Sequence, residues 1–135
     1  MSLGVRPVGG TRVEQSHLTT VSCDGVTIII VRDGLFDALP ESDDSAPLAA
    51  EVVAEFRSAV AGASAVVVDL RGAGEINKRT LNVTFRMVHG LVVIGARRAL
   101  CGSVFLKQIW DLCQGGTLCA VYEEFEEARA AVARG

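Results

Sequence analysis

Charged residues that could bind a ligand or a partner gather in one short stretch of the chain. Asp69 ends an apolar run, Glu75 follows in a loop, and Lys78 and Arg79 stand directly after Asn77. Asn77 is a typical N-cap, so both cations fall in the first turn of a predicted helix, where the helix dipole favours negative charge. Two interpretations stay open. The cations grip an acidic partner surface or a phosphate, or they reach into water with Glu75 as a weak ion-pair partner.

Metal and redox chemistry find little support in the sequence. The four cysteines, at positions 23, 101, 113 and 119, contain no CxxC pair, and the two histidines, His17 and His89, have no obvious ligand partners. A zinc site needs such clustered ligands, and disulfide frameworks are typical of smaller secreted chains. We therefore expect reduced cysteines that pack as small hydrophobes, and neither a metal nor a cofactor.

Length and composition favour one domain in the cytoplasm. The chain has 135 residues, half of them hydrophobic, and a formal net charge of -3. That length can bury a core without disulfides or metal. A basic excess that would indicate nucleic acid is missing, and no apolar run approaches the roughly 18–20 residues that span a bilayer. We expect no nucleic-acid partner, no direct membrane insertion and no signal peptide.

The hydrophobic pattern predicts alternating strands and helices after a flexible leader. The leader is residues 1–15, Gly-rich and without a period, and the domain is residues 16–135. Asp24-Gly25 is a strong hairpin signal between the first two strands. The predicted strands are 17–22, 26–31, 65–70, 98–102 and 117–122, and the predicted helices are 48–61, 78–97, 104–113 and 123–134. Residues 91–94 would also suit a strand by composition.

The predicted helix over residues 78–97 has two apolar stripes. One stripe is Leu81, Phe85, Val88 and Val92, and the other is Val83, Met87, Leu91 and Ile94. Either the helix is covered on both sides within the domain, or one stripe is an interface. We favour the second stripe as an interface.

The order of elements and several motifs resemble the STAS domain, the fold of anti-sigma-factor antagonists and of sulphate-transporter tails. Gly34-Leu35-Phe36-Asp37 has the form of the family's step before its first helix, and Asp69-Leu70-Arg71-Gly72 has the form of its strand ending. Residues 99–102, 106–113, 118–122 and 123–128 follow at nearly the family's spacing. The resemblance covers residue 18 to the end and favours a single helix through residues 91–94. It implies an α/β fold, with a four- to five-stranded mixed sheet that opens with a β-hairpin and has helices packed on it.

The resemblance also implies a phosphorylation box, which this chain does not preserve. Switchable members have Asp-Ser-Ser-Gly at the start of the second helix, and phosphorylation of the first serine breaks their complex. Counted without gaps from Asp69, that box falls on Asn77, Lys78, Arg79 and Thr80. Lys78 replaces the acceptor, so the serine switch should be absent. Thr80 is the substitute hydroxyl, or simply a residue of the first helical turn.

By this resemblance the chain is a non-enzymatic regulatory domain that binds another protein. The implied partners are an anti-sigma-factor or kinase-like protein, or other STAS proteins, and a homo-oligomer is also compatible. The expected partner-binding residues are Asp37, Glu75, Lys78, Arg79, Val83, Met87 and Leu91.

Three other functions stay open. A soluble accessory subunit of a transporter is one, and a nucleotide- or small-molecule-sensing domain is another, although Gly72 and Gly74 do not form a GxxxxGK[ST] loop. The last is a small crotonase-like enzyme, because residues 66–74 resemble a strand of such enzymes. The absence of a Gly-x-Ser-x-Gly elbow and the short chain argue against it.

Overall fold

A computed structural model describes residues 10–133, which form one mixed sheet with helices on both faces. The strands are β1 Gly10–Glu14, β2 Leu18–Cys23, β3 Val26–Val31, β4 Ala65–Asp69, β5 Arg97–Cys101 and β6 Ala120–Tyr122. The helices are α1 Ala46–Ala59, α2 Lys78–Val93, α3 Val104–Leu112 and α4 Phe125–Ala133. The fold class predicted from the sequence, α/β with a mixed sheet, is confirmed.

The six strands lie in the sheet in chain order, from β1 to β6. β1, β2 and β3 pair antiparallel, and β3 to β6 pair parallel. The hairpin between β2 and β3 turns through Asp24 and Gly25, which both have positive φ, 54° and 80°. Two successive positive φ values define the type I′ turn, whose twist matches the flanking strands. The predicted opening hairpin is thereby confirmed.

Two hydrophobic layers separate the sheet from its helices. α1, α2 and α3 contribute to the larger layer with Val66 and Val68 of β4, and α4 packs through Ala128 and Val132 on the opposite face. Every residue of β4 is buried, which explains the uninterrupted apolar run of its first four residues, before Asp69. The C-terminal end of β4 leads directly into the loop before α2, so the sheet fixes where α2 begins.

The sheet has one strand more than the upper predicted count, and that strand is β1. It lies within residues 1–15, which the sequence predicted as a flexible leader, so that prediction is wrong for residues 10–14; residues 1–9 lie outside the described part. The side chains of residues 11–14 are all exposed. Because β1 buries almost nothing, its sequence has no apolar alternation that could reveal it.

Two predicted boundaries also need correction. α2 is a single helix through residue 91, as expected, but it ends at Val93 rather than at residue 97. Gly95 adopts φ 73° there, and the N–H of Ala96 donates to the carbonyl of Leu91, a Schellman termination.

The last strand is shorter than the predicted 117–122. A 3₁₀ turn at Gly115–Thr117 precedes it, and Gly115 lies so close to the Trp110 ring that a Cβ there would be 2.3 Å from it. Strand pairing therefore begins only at Ala120.

Candidate functional site

The first turn of α2 is fixed by a reciprocal cap between Asn77 and Thr80. The Thr80 N–H donates to Asn77 Oδ1 at 2.9 Å, and the Asn77 N–H donates to Thr80 Oγ1 at 2.7 Å. The predicted N-cap at Asn77 is thus confirmed. Thr80 is fully buried, and its hydroxyl is within hydrogen-bond distance of the Glu75 and Asn77 carbonyls. In the folded chain this hydroxyl therefore stabilises the start of the helix and is not accessible from the solvent.

Lys78 and Arg79 line a cleft of about 280 Å³ together with Glu41 and Asn82. The Lys78 N–H donates to the Glu41 carboxylate, and Arg79 Nη2 donates to the Ser42 carbonyl at 2.7 Å. The Glu41 carboxylate places a negative charge at the helix N-terminus, which offsets the unfavourable position of the two cations. Lys78 itself is exposed, so its ammonium group is available to a partner.

The segment before α1 is tied to the loop before α2 through Asp37. Asp37 Oδ1 accepts the Glu75 N–H at 2.8 Å, and a Cβ at Gly74 would lie 2.6 Å from the same oxygen. Gly74 also has φ 111°, so both the space and the backbone there require glycine. Asp37 and Glu75 are exposed, and Asp37 additionally positions the loop. Among the described residues, Glu75 forms no ion pair with Lys78 or Arg79.

Asp69, at the C-terminal end of β4, is bound by a neighbour rather than open to a ligand. Arg71 donates from Nε to Oδ1 at 3.0 Å and from Nη2 to Oδ2 at 2.8 Å. The hydrogen bond to Asp69 raises the pKa of Arg71, and the guanidinium lies 5.4 Å from the centre of the Phe125 ring. This contact connects the loop after β4 to α4 on the far face of the sheet.

The second apolar stripe lies mostly in the core, so the prediction that it forms an interface is wrong for Val83, Met87 and Leu91. Ile94, which follows the end of α2, is 44% exposed. Val83, Met87 and Leu91 are each 0% exposed and lie in the larger hydrophobic layer. The first stripe is also covered in part, since Phe85 stacks on Trp110 with ring centres 4.2 Å apart. The helix is therefore packed within the domain along most of both stripes, and Ile94 stays exposed at its C-terminal end.

None of the four cysteines lines the cleft at the start of α2. All four have free thiols; Cys101 and Cys119 are buried, Cys23 is half-buried and Cys113 is exposed. Burial raises the pKa of Cys119 to about 12, and burial followed by the charge of Asp69 raises that of Cys101. Neither thiol is a ready nucleophile, because the thiolate is the reactive form. Within residues 10–133 no three His, Cys, Asp or Glu side chains are grouped to hold a metal.

Sequence reasoning found the cations of the cleft and missed its other two members. Glu41 lies 37 residues before Lys78, in the acidic loop that the pattern assigned only to the surface. Asn82 is exposed, one turn after the cations. The prolines and acidic residues of the loop at 39–47 were the available signal, since a helix N-terminus attracts a carboxylate. Nothing in the sequence indicated which carboxylate would lie there.

The sheet order and the two helical layers define the class: the chain has the STAS fold. Among solved structures, an anti-sigma factor antagonist from Mycobacterium paratuberculosis is similar over 94% of this chain and 97% of its own, with a TM-score of 0.61 and 16% identity. A proposed anti-sigma factor antagonist from Thermotoga maritima covers 81% of this chain and 88% of its own, with a TM-score of 0.59 and 20% identity.

A third similar structure is the Bacillus cell fate determinant SpoIIAA in its phosphorylated form. The match covers 91% of this chain and 98% of that chain, with a TM-score of 0.51 and 13% identity. No family model matches the chain, and no curated protein has a significantly similar sequence. At these identities the likeness establishes the fold and leaves the function to the residues of the site.

Among the described residues, no helix has both the length and the apolar character needed to cross a membrane.

Proposed function

We propose that the chain is a regulatory protein-binding domain, similar in role to an anti-sigma factor antagonist, and that it acts without catalysis. Its partner surface is the start of α2 with the loop before it: Asp37, Glu75, Lys78 and Arg79, to which the structure adds Glu41. The partner is an acidic surface of an anti-sigma-factor or kinase-like protein in the cytoplasm. The fold shared with anti-sigma factor antagonists supports this class of function.

One observation carries the proposal: the cationic cleft at the N-terminus of α2. Lys78 is exposed and stands beside Arg79 at a fixed helix start, and the cap and the Asp37 contact position the surrounding backbone. A rigid cationic surface favours an acidic partner through long-range attraction and through charge-assisted hydrogen bonds. The exposed Glu41 and Glu75 make the surface mixed in charge, which selects the orientation of the partner.

The proposed domain is not switched by phosphorylation at the start of α2. Lys78 occupies the position counted as the acceptor, and a lysine accepts no phosphate from a serine kinase. Thr80 has no exposed surface, and modifying it would require opening the cap that it completes. Control of the complex would therefore come from the amount of partner or from another site.

Capture of the partner tests this proposal. The tagged chain would be used as bait in a lysate of its native organism, and the retained proteins and the intact mass of the bait would be measured. We expect an anti-sigma-factor-like or STAS protein on an unmodified bait.

Reversal of both cations, Lys78→Glu with Arg79→Glu, should weaken binding about tenfold or more and flatten its salt dependence.

The matched control is Arg57→Glu with Lys107→Glu, which makes the same change of charge at exposed residues outside the cleft. Loss of binding in both double variants would indicate a general charge effect. Unchanged binding in the cleft variant would remove the start of α2 from the interface. A phosphorylated bait would contradict the absence of a switch.

A further inference from the structure

Strand β1 forms an edge of the sheet that the rest of the described chain leaves uncovered. Its five residues pair with β2 on one side, and no other strand among residues 10–133 pairs with its outer side. Residues 11–14 are exposed on both faces, and Val13 retains 54% of its surface. An exposed edge strand is a template for pairing with another chain, and proteins normally protect such an edge.

The backbone of β1 presents a defined pattern of hydrogen-bonding groups at this edge. The N–H of Gln15 donates to the Leu18 carbonyl at 2.8 Å, so it points toward β2. In an antiparallel sheet, the backbone N–H and C=O groups of successive residues point alternately to the two sides of the strand. The backbone of Val13 therefore also faces β2, and the N–H and C=O groups of Arg12 and Glu14 point outward.

These outward groups fit a second copy of the same strand in one particular register. If a two-fold axis passes between two Val13 residues, Arg12 of each copy lies opposite Glu14 of the other. Both of these are hydrogen-bonded pairs, each exchanging two N–H···O bonds, and the two Val13 residues form the closely spaced pair between them.

Charge selects this register over its neighbours. A two-fold axis at Arg12 would place two arginines opposite each other, and an axis at Glu14 would place two glutamates opposite each other; like charges directly opposite are destabilising. Within one chain Arg12 Nε and Glu14 Oε2 already lie 3.3 Å apart on the same face, with 59% and 72% of their side chains exposed. In the proposed dimer, the arginine of each copy would therefore lie opposite the glutamate of the other copy on this face.

We propose that β1 is a self-association surface, at which two copies of the chain join edge to edge into one continuous antiparallel sheet centred on Val13. The contact is isologous, so it closes as a dimer and does not propagate. This contact lies at the edge of the sheet opposite to β6. It is separate from the cleft at the start of α2.

Analytical ultracentrifugation of the full chain tests the proposal. At low salt the chain should form a dimer whose fraction rises with concentration up to about 1 mM. Arg12→Glu and Glu14→Arg should each associate roughly tenfold more weakly, since each places like charges in both outer pairs. An equimolar mixture of the two variants should recover association, because every glutamate then faces an arginine. Lys107→Glu, an exposed charge reversal on α3, should associate as the natural chain does.

Arg12→Pro provides a second test that does not depend on charge. Proline removes an N–H that points outward, so the pairing of β1 with β2 is retained while the dimer is lost; circular dichroism checks that the fold is intact. A chain that stays monomeric up to about 1 mM overturns the proposal. So does association that is unaffected by Arg12→Pro, or a mixture of the charge variants that remains as weak as each alone. An edge that pairs only with a strand of another protein would also overturn it.

Discussion

The first turn of α2 and the middle of the same helix differ in what surrounds their side chains. The first turn has Lys78 exposed, Arg79 half-buried and a cap built from polar groups. Farther along the helix, Val83 and Met87 have no exposed surface at all. Both regions were predicted as one partner-binding face. The difference shows that an apolar stripe indicates burial, whereas only the fold determines whether the covering surface belongs to the same chain.

Met87→Asp is expected to have the largest effect of any change in this comparison. An interface residue would tolerate the charge in the isolated chain, but Met87 lies in the core. Loss of its packing and burial of an unpaired carboxylate should lower the free energy of unfolding by more than about 4 kcal/mol. Urea denaturation followed by circular dichroism measures this.

Met87→Leu is the matched control, because it keeps the volume and should cost less than about 1.5 kcal/mol. A well-folded Met87→Asp chain that only changed its oligomeric state would show instead that Met87 lies at an interface.

Thr80→Val should have an intermediate effect, because Thr80 joins the two regions: its side chain is buried and its hydroxyl completes the cap. Valine keeps the shape but leaves the N–H of Asn77 without its acceptor. We expect a loss of about 1–2 kcal/mol in the free energy of unfolding and faster amide exchange at Asn77. Thr80→Ser retains the hydroxyl and should preserve the slow exchange at Asn77. Equal exchange rates in the valine and natural chains would show that the cap is not needed.

Local signals were sufficient where one segment determines its own structure. The apolar runs of β3 and β4, the Asp24-Gly25 hairpin and the N-cap at Asn77 each follow from a few neighbouring residues. β1 gave no such signal, because its side chains are exposed and its order comes from pairing with β2. A strand that is held mainly by backbone hydrogen bonds has little reason to show an apolar period.

The candidate site was predictable only in part for a related reason. Lys78 and Arg79 were found because the cap that precedes them is local. Their contacts with Glu41 and Ser42 join residues 37 apart in the sequence, and several exposed carboxylates of the same loop were equally plausible partners. The role of Asp37 was missed for the same reason, since its acceptor position depends on how the loop at Gly74 lies against it.

Glu41→Gln, at the exposed start of α2, should have the smallest effect of these changes. Glutamine can still accept the Lys78 N–H, but it removes the negative charge that stands at the helix N-terminus. The expected loss is about 0.5 kcal/mol in the free energy of unfolding, and it should shrink as salt is added.

Asp43→Asn is the control: it removes one charge from the same exposed loop and is not among the residues that line the cleft. Equal, salt-sensitive losses in both variants would mean that the loop acts through its total charge. A loss confined to Glu41→Gln would instead show that one carboxylate neutralises the start of α2, and that an acidic partner at Lys78 must compete with it.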